Sequence, residues 1–422
     1  MIVWVRALTL DDFRSYTHLE CPFVPGVNVL LGRNGQGKTN VLEAIGYVAT
    51  HHSHRTASDS LLVRRDAPRA RISCLIESDG QRAAIDLAVI PGRPNRARLN
   101  GVNLPRAGDA LGLLKTVTFA PEDLALVKGD PAVRRAFLDD LLVQRHPRVH
   151  SVIAEFERAL RQRNALLKSA RERRTAPASL ESSLVVWDEQ MAQAGAELVA
   201  SRVRLIGELA KPFHDAYAHL TEEAPDALRG AAMAYRATWI NDHADGVRGD
   251  VSAHVSAHVS AAPSVDASVD AAGSSPPTSD VVGAEVSASE ISGALHRALQ
   301  QARSSDLARG VTTVGPQRDE LDITLDGVLA RGYASHGESW SLALALRLSA
   351  YELFTRLGPA PVLLLDDVFA ELDTRRRERL ISAIREAEQI IVTAAVEEDV
   401  PPLPNAQILD VSAGQVLARG DA

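Results

Sequence analysis

Lysine is nearly missing from this chain of 422 residues. Of its 46 basic side chains only those at 38, 115, 128, 168 and 211 are Lys, and the rest are Arg. A lysine that completes a motif is then seldom there by chance. Cysteine is as scarce. Cys21 and Cys74 cannot make a disulfide framework or a CxxC metal site, which points to a reducing, cytoplasmic setting. Positive charge is not in surplus, the formal net charge being −8, so a histone-like polycation is excluded. Any nucleic-acid contact must come from a local basic patch. Long apolar runs are lacking too, since none approaches the roughly 20 residues that span a bilayer. The opening MIVWVRALTLDDFRS sets Arg6, Asp11 and Asp12 where a signal peptide needs apolar residues. No membrane partner is expected.

What is present suits a folded, soluble chain: 45% of residues are hydrophobic and 24% charged. At roughly 150 residues per domain the length allows two or three units. Residues 1–130 read as strands and turns with at least one helix, the strands including VNVLLG, RISCLIES and RAAIDLAVI. Residues 131–245 read as a helical arm. Val149, Val152, Phe156 and Leu160 fall at helical spacing, as do Leu184, Trp187, Met191, Ala194, Leu198, Leu205 and Leu209. Core packing is the plain reading of both stripes. Residues 246–290 contain, at 251–280, VSAHVSAHVSAAPSVDASVDAAGSSPPTSD, a window with no Leu, Ile, aromatic, Lys or Arg. Such a segment buries too little apolar surface to offset its ordering entropy, so a disordered insertion is expected. His254 and His258 belong to its VSAH repeat and are not read as a metal pair. From 291 to 422 the text is α/β again. The expectation is one α/β head, 1–130 plus 291–422, split by the arm.

Three short segments carry chemistry. Gly32-Arg33-Asn34-Gly35-Gln36-Gly37-Lys38-Thr39 fits GxxxxGK[ST] between the strand VNVLL and the helix TNVLEAIGYVA. Glycines let backbone N–H groups turn toward phosphates, and the helix N-terminus adds its dipole. Lys38 then reaches the β- and γ-phosphates of a nucleotide, and Thr39 holds Mg²⁺. Val362-Leu363-Leu364-Leu365-Asp366-Asp367 is an apolar strand ending in carboxylates: Asp366 for Mg²⁺, Asp367 as general base toward water. Ser335-His336-Gly337-Glu338 opens a third helix about 30 residues earlier, either as an ordinary cap or as an anion-binding turn. That order, with Glu371-Leu372-Asp373 following, is the layout of ABC-superfamily ATPase heads. No histidine follows the strand QIIVTA, where Thr393 stands in its place, and Pro121-Glu122 lies where a Gln-bearing loop is sought.

With these segments in hand the chain resembles the RecF family, bacterial recombinational-repair ATPases related to SMC proteins. DDFRSY, PGVNVLLGRNGQGKTNVLEAI, His54-Arg55-Thr56, FAPEDLALVKGDPAVRRAFLD, RALRQRNALLK, VWDEQMAQAGAEL, TTVGPQRDEL and LLLDDVFAELDTRRRERL carry the resemblance. Two places depart from it: Gln317 stands where the family commonly has His, and Glu338-Ser339-Trp340 replaces a Glu/Gln-Gln-Arg continuation. The resemblance implies an ABC/SMC-like P-loop ATPase head split by an α-helical arm, with ATP and Mg²⁺ as cofactors. It adds Arg14 and Arg55 to the nucleotide-contacting residues, and implies that Lys38 and Thr39 of one subunit share each ATP with Ser335 and Gly337 of another. It further implies a role in DNA repair, replication and the SOS response on single-stranded, gapped or junction DNA. The implied partners are RecR and RecO, with RecA and single-strand-binding protein downstream. A slow, DNA-linked ATPase fits this reading, and a near-silent ATP-binding adaptor is its alternative.

Charge supplies candidate DNA contacts. Residues 134–174 hold 11 Lys/Arg against 5 Asp/Glu, and residues 51–106 hold 10 Arg against 5 acids. Arg64 and Arg65 in one stretch, and Arg158, Arg161 and Arg163 along one helix, are the named candidates. Few aromatics accompany them, which favours phosphate tracking over base stacking. An ABC transporter subunit is the competing class, and the helical arm speaks against it.

Overall fold

The computed structural model describes residues 3–56, 58–173, 180–221, 230–240, 287–402 and 405–419. The disordered insertion expected at 246–290, with His254 and His258, lies almost wholly outside them. The chain divides into one unit of Met1–Ser151, Asp215–Ala227 and Ala334–Ala422, and another of Val152–His214 and Leu228–Tyr333.

In the first unit, the apolar positions of β1 (Val3–Phe13) build one face of a sheet. Val5, Leu8, Leu10 and Phe13 are all fully buried. The register slips between Val5 and Ala7, which puts Val5 and Leu8 on the same side despite their odd spacing. With β2 (Tyr16–Pro22), β4 (Ala70–Ser78), β5 (Gln81–Val89), β6 (Arg96–Leu99) and β7 (Val102–Asn103), this strand forms an antiparallel sheet in the order β2-β1-β4-β5-β6-β7.

The second sheet of this unit combines β3 (Gly26–Leu31), β8 (Thr116–Phe119), β12 (Val362–Asp366), β13 (Gln389–Ala394), β14 (Gln407–Ser412) and β15 (Gln415–Ala418). Its order is β15-β14-β3-β13-β12-β8, parallel throughout except for β15. β12 is buried along its whole length, as a continuous apolar run in a parallel sheet must be. Because β3, β13, β12 and β8 run side by side in one direction, the loops that follow them share one edge. Helix α1 (Lys38–Thr50) packs on β8 and β12. Gln389, fully buried, joins the sheets: its amide accepts from Val5 N at 2.8 Å and donates to Val5 O at 2.8 Å.

The boundary of this unit is later than the one expected at 130. Helices α2 (Leu124–Lys128) and α3 (Pro131–Arg145) belong to it, because Gln144 of α3 accepts from the β8 amide of Thr116 at 2.7 Å and Phe137 lies under the Arg347 guanidinium at 5.2 Å. Residues 291–333 do not belong to it, which corrects the expectation that the head resumes at 291.

The second unit has its own core. It takes in most of α4 (Arg148–Arg173) and of α5 (Glu181–Thr221), together with β9 (Ala231–Arg236), α6 (Ala288–Arg309), β10 (Glu320–Leu325), β11 (Val328–Leu329) and the short α7 (Ala330–Tyr333). A strand at 231–236, inside the stretch expected to be helical, pairs antiparallel with β10. Leu184, Met191, Leu198, Leu205 and Leu209 are buried, so that stripe is core. Gly195 is required on α5, since a Cβ there would come within 2.7 Å of Leu295 on α6.

Arg163 is a correction. Its side chain is fully buried and cannot touch DNA. It donates to Asp188 at 2.7 Å, to Asp306 at 2.6 Å and to Thr312 Oγ1 at 2.9 Å. Arg303 completes Asp188 at 2.8 Å, and Thr313 N completes Asp306 at 2.9 Å. A charge this deep persists only because each carboxylate is also satisfied by others.

Candidate nucleotide-binding site

The shared edge of the parallel sheet collects the chemistry-bearing segments. The phosphate loop follows β3. Asp366 and Asp367 follow β12, Thr393 sits near the end of β13, and Glu122 follows β8. Gly32 cannot be replaced, because a Cβ there would stand 2.2 Å from Val411 O. Gly37 caps α1 with φ of 104°, a left-handed conformation that favours glycine. Arg33, Asn34 and Gly35 are exposed. Gln36 is tied down, accepting from Ala413 N at 2.9 Å.

Lys38 is buried and donates from Nζ to Gly32 O at 2.6 Å, and more weakly to Asn34 Oδ1 at 3.3 Å. Its ammonium is thus held over the loop at the N-terminus of α1. Thr39 Oγ1 donates to Asp366 Oδ1 at 2.9 Å across 327 residues of sequence. Thr393 Oγ1 donates to the same oxygen at 2.7 Å and accepts from Asp367 N at 2.9 Å. This hydroxyl orients both acids where a switch histidine was sought. Asp367 adopts φ of 50°, which turns the chain away from the strand after Asp366. Burial pushes the Asp366 carboxyl above the usual carboxylate range, and the charges of Asp367 and Glu122 push the same way, against the Thr393 and Thr39 hydrogen bonds.

These residues fit a nucleotide and its cation. A buried carboxylate crowded by like charges gains from a nearby divalent ion. Among the described residues no cluster of three or more His, Cys, Asp or Glu is placed to chelate a metal alone. Thr39 and Asp366 could supply the one or two protein ligands that Mg²⁺ takes beside phosphate and water.

Arg14 and Arg55 are brought together by a residue that sequence reasoning missed. Glu43, fully buried on α1, accepts two bonds from Arg14, at 2.9 and 2.5 Å, one from Ser53 at 2.5 Å and one from Arg55 at 3.4 Å. Burial alone would raise its pKa. The Arg14 and Ser53 hydrogen bonds, with the charges of Arg14 and Arg55, take it below the ordinary value instead. Arg55 also donates to Asn40 at 3.0 Å, two residues past Lys38. The available signal was a lone carboxylate inside the apolar run VLEAI.

Ser335 and Gly337 stand elsewhere in the same unit. Ser335 caps α8 (His336–Leu357): Glu338 N donates to its hydroxyl at 3.2 Å, and its own N–H donates to Glu338 at 2.8 Å. The hydrogen bonds of Ser335 stay within its own helix, and none goes to the phosphate loop. A Cβ at Gly337 would come within 2.7 Å of the Arg376 guanidinium. Arg376, on α9 (Thr374–Ile384), is itself held by Asp373 at 2.6 Å and Ser341 at 3.1 Å. Of the candidate DNA contacts, Arg64 pairs with Asp12 at 2.7 Å and Arg161 with Glu157 at 3.3 Å. Arg65 and Arg158 are exposed.

The model of the RecF/RecN/SMC N-terminal domain matches residues 4–407. The chain belongs to the RecF family. It is 46% identical over 97% of its length to the DNA replication and repair protein RecF of Frankia alni, and covers 98% of that protein. It is 45% identical over 99% of its length to that of Kineococcus radiotolerans, all of which it covers. Among solved structures, the recombination mediator protein RecF-ATPrS of the RecFOR pathway superposes with a TM-score of 0.78 at 25% identity, over 99% of this chain and 98% of that one. RecF-ATP of the same pathway gives 0.75 at 25% identity, over 99% of each chain. The fold is that of an ABC/SMC-like ATPase, as its sheet edge and its two RecF superpositions agree.

Proposed function

We propose that this chain is an ATP-dependent DNA-binding protein of recombinational repair, and that two copies close around two ATP molecules. The observation that carries this is the convergence of Lys38, Thr39, Asp366, Asp367 and Thr393 at one sheet edge, while Ser335 bonds only within its own helix. A signature turn built that way is complete as a cap without any bond to its own phosphate loop, as a turn that serves a second copy would be. In this reading Lys38 and the loop amides bind the phosphates, and Arg14 and Arg55, steadied by Glu43, add positive charge beside α1. Mg²⁺, held by Thr39 and Asp366, supplies charge neutralisation at the phosphates. Asp367 takes the proton of the attacking water. Arg65, Arg158 and Arg161 are the proposed phosphate-tracking contacts, with Arg64 beside them. Single-stranded or gapped DNA is the proposed substrate, RecR and RecO are the proposed partners, and RecA loading is the proposed outcome.

A second reading, a near-silent ATP-binding adaptor, is favoured by the short Asp367 side chain where ABC heads often carry Glu. Asp367→Asn separates the two. General-base loss costs about 10²-fold or more in turnover. The variant is expected to bind ATP, sediment as a dimer and stay closed, while the parent chain returns to monomer as ATP is spent. Unimpaired turnover in the variant would remove Asp367 from the mechanism, and turnover near zero in both proteins would favour the adaptor.

A further inference from the structure

Gly337 has no backbone reason to be glycine. It lies in the first turn of α8, and its backbone does not enter the left-handed region. Arg376 supplies the reason. A Cβ at Gly337 would stand 2.7 Å from Nη2 of Arg376 and 3.4 Å from its Cζ. A loose guanidinium would swing aside, but this one is tied at two corners. Its Nε donates to Ser341 Oγ, fully buried on α8, at 3.1 Å, and its Nη1 donates to Asp373 Oδ2 at 2.6 Å. Asp373 is fixed in turn, because its Oδ1 caps α9 by accepting from Arg376 N at 2.9 Å. Only a planar fork can hold a hydroxyl and a carboxylate at once in this way, which lysine cannot copy.

The bridge joins two segments with different tasks. Asp373 comes six residues after Asp367, on the stretch that leaves the acids of β12. Gly337 and Ser341 lie in the opening turns of α8, behind Ser335. The bonds of Arg376 go to these two segments, and none goes to Lys38, Thr39 or Asp366 of its own copy. We infer that Arg376 is a positioning residue for the nucleotide held by the second copy. It clamps the signature turn to the segment after β12, so that Ser335 and Gly337 meet the other copy's phosphates in one geometry. This rests on the dimer proposed above. Such a clamp matters because a misplacement of about 1 Å in a reacting site costs up to about 10²-fold. It also gives Gly337 a second task, since any side chain there would push the guanidinium off its two partners.

The test uses Arg376→Met and Arg376→Lys in the full chain. ATP binding to dilute, monomeric protein is measured by calorimetry, ATP-driven dimerisation by sedimentation, and ATP turnover and melting temperature alongside. Arg376→Met is expected to bind ATP as the parent does, yet to dimerise and turn over ATP about tenfold less well or worse. Arg376→Lys keeps the charge without the fork and is expected to do no better. The decisive arm mixes Arg376→Met with Lys38→Met. A mixed pair has one complete site, made by the phosphate loop of the first chain and the signature turn of the second. Turnover above that of either variant alone is the expected result. No recovery on mixing overturns the inference, because it puts Arg376 in the site of its own copy or in the fold. So does an ATP affinity that falls together with the melting temperature, which marks a packing role. Full activity in Arg376→Lys overturns it too, since charge and not the clamp would then be what counts. If the parent chain itself did not dimerise with ATP, the dimer would fall first, and this inference with it.

Discussion

Lys38→Met loses ATP binding by about 10²-fold or more, and ATP-driven dimerisation with it. Methionine keeps the apolar stem in its buried slot, so the fold is expected to survive. What goes is the one ammonium bonded to Gly32 O and Asn34 Oδ1 over the phosphate loop. In a low-dielectric setting a fixed cation beside phosphates is worth far more than a surface charge. The nearby arginines do not replace it, because Arg14 and Arg55 are already engaged by Glu43. Calorimetry with ATP, and sedimentation with and without ATP, check both halves. Because occupancy and dimerisation are linked, losing one must weaken the other. A Lys38→Met protein that still dimerised on adding ATP would show that the nucleotide binds elsewhere.

Arg163→Met is expected to destabilise the second unit by about 3–5 kcal/mol. The substitution removes the charged partner of Asp306 and one of the two of Asp188, both fully buried, and leaves Thr312 Oγ1 without one of its partners. Arg303 still pairs with Asp188, which keeps the loss short of complete unfolding. Urea unfolding followed by circular dichroism measures the cost. Arg158→Ala is the matched comparison, an exposed site on the same helix where the change is expected to stay within about 0.5 kcal/mol. Were Arg163→Met as stable as the parent, the buried network would be mis-assigned.

Arg163 also shows where sequence reading stops. On a helix, Arg158, Arg161 and Arg163 look like one basic face. The partners that bury the third lie 25 and 143 residues away, and no local pattern announces them. The phosphate loop and the β12 acids were legible because each is a local pattern: glycines at fixed spacing before Lys-Thr, and an apolar run ending in carboxylates. Their meeting was legible only from the fold class, since parallel pairing of β3, β13 and β12 is what brings Thr39 to Asp366. Glu43 and Arg376 were not legible, because an acid in one helix and a basic residue in another are ordinary until their neighbours are known. The first unit resumes at 334, not at 291 where the α/β text begins. Residues 320–325 form a strand, but it pairs with β9, inside the stretch read as helix.

The central claim is that ATP occupancy at this sheet edge governs DNA binding. Equilibrium binding to gapped duplex, plain duplex and single strands, each with ATP and with ADP at one fixed salt concentration, tests it most directly, because phosphate contacts make affinity salt-dependent. Tighter binding with ATP than with ADP is the predicted result, and the ranking of the three DNAs then names the substrate. Equal binding with both nucleotides would contradict the account and leave the ATP site serving something other than DNA.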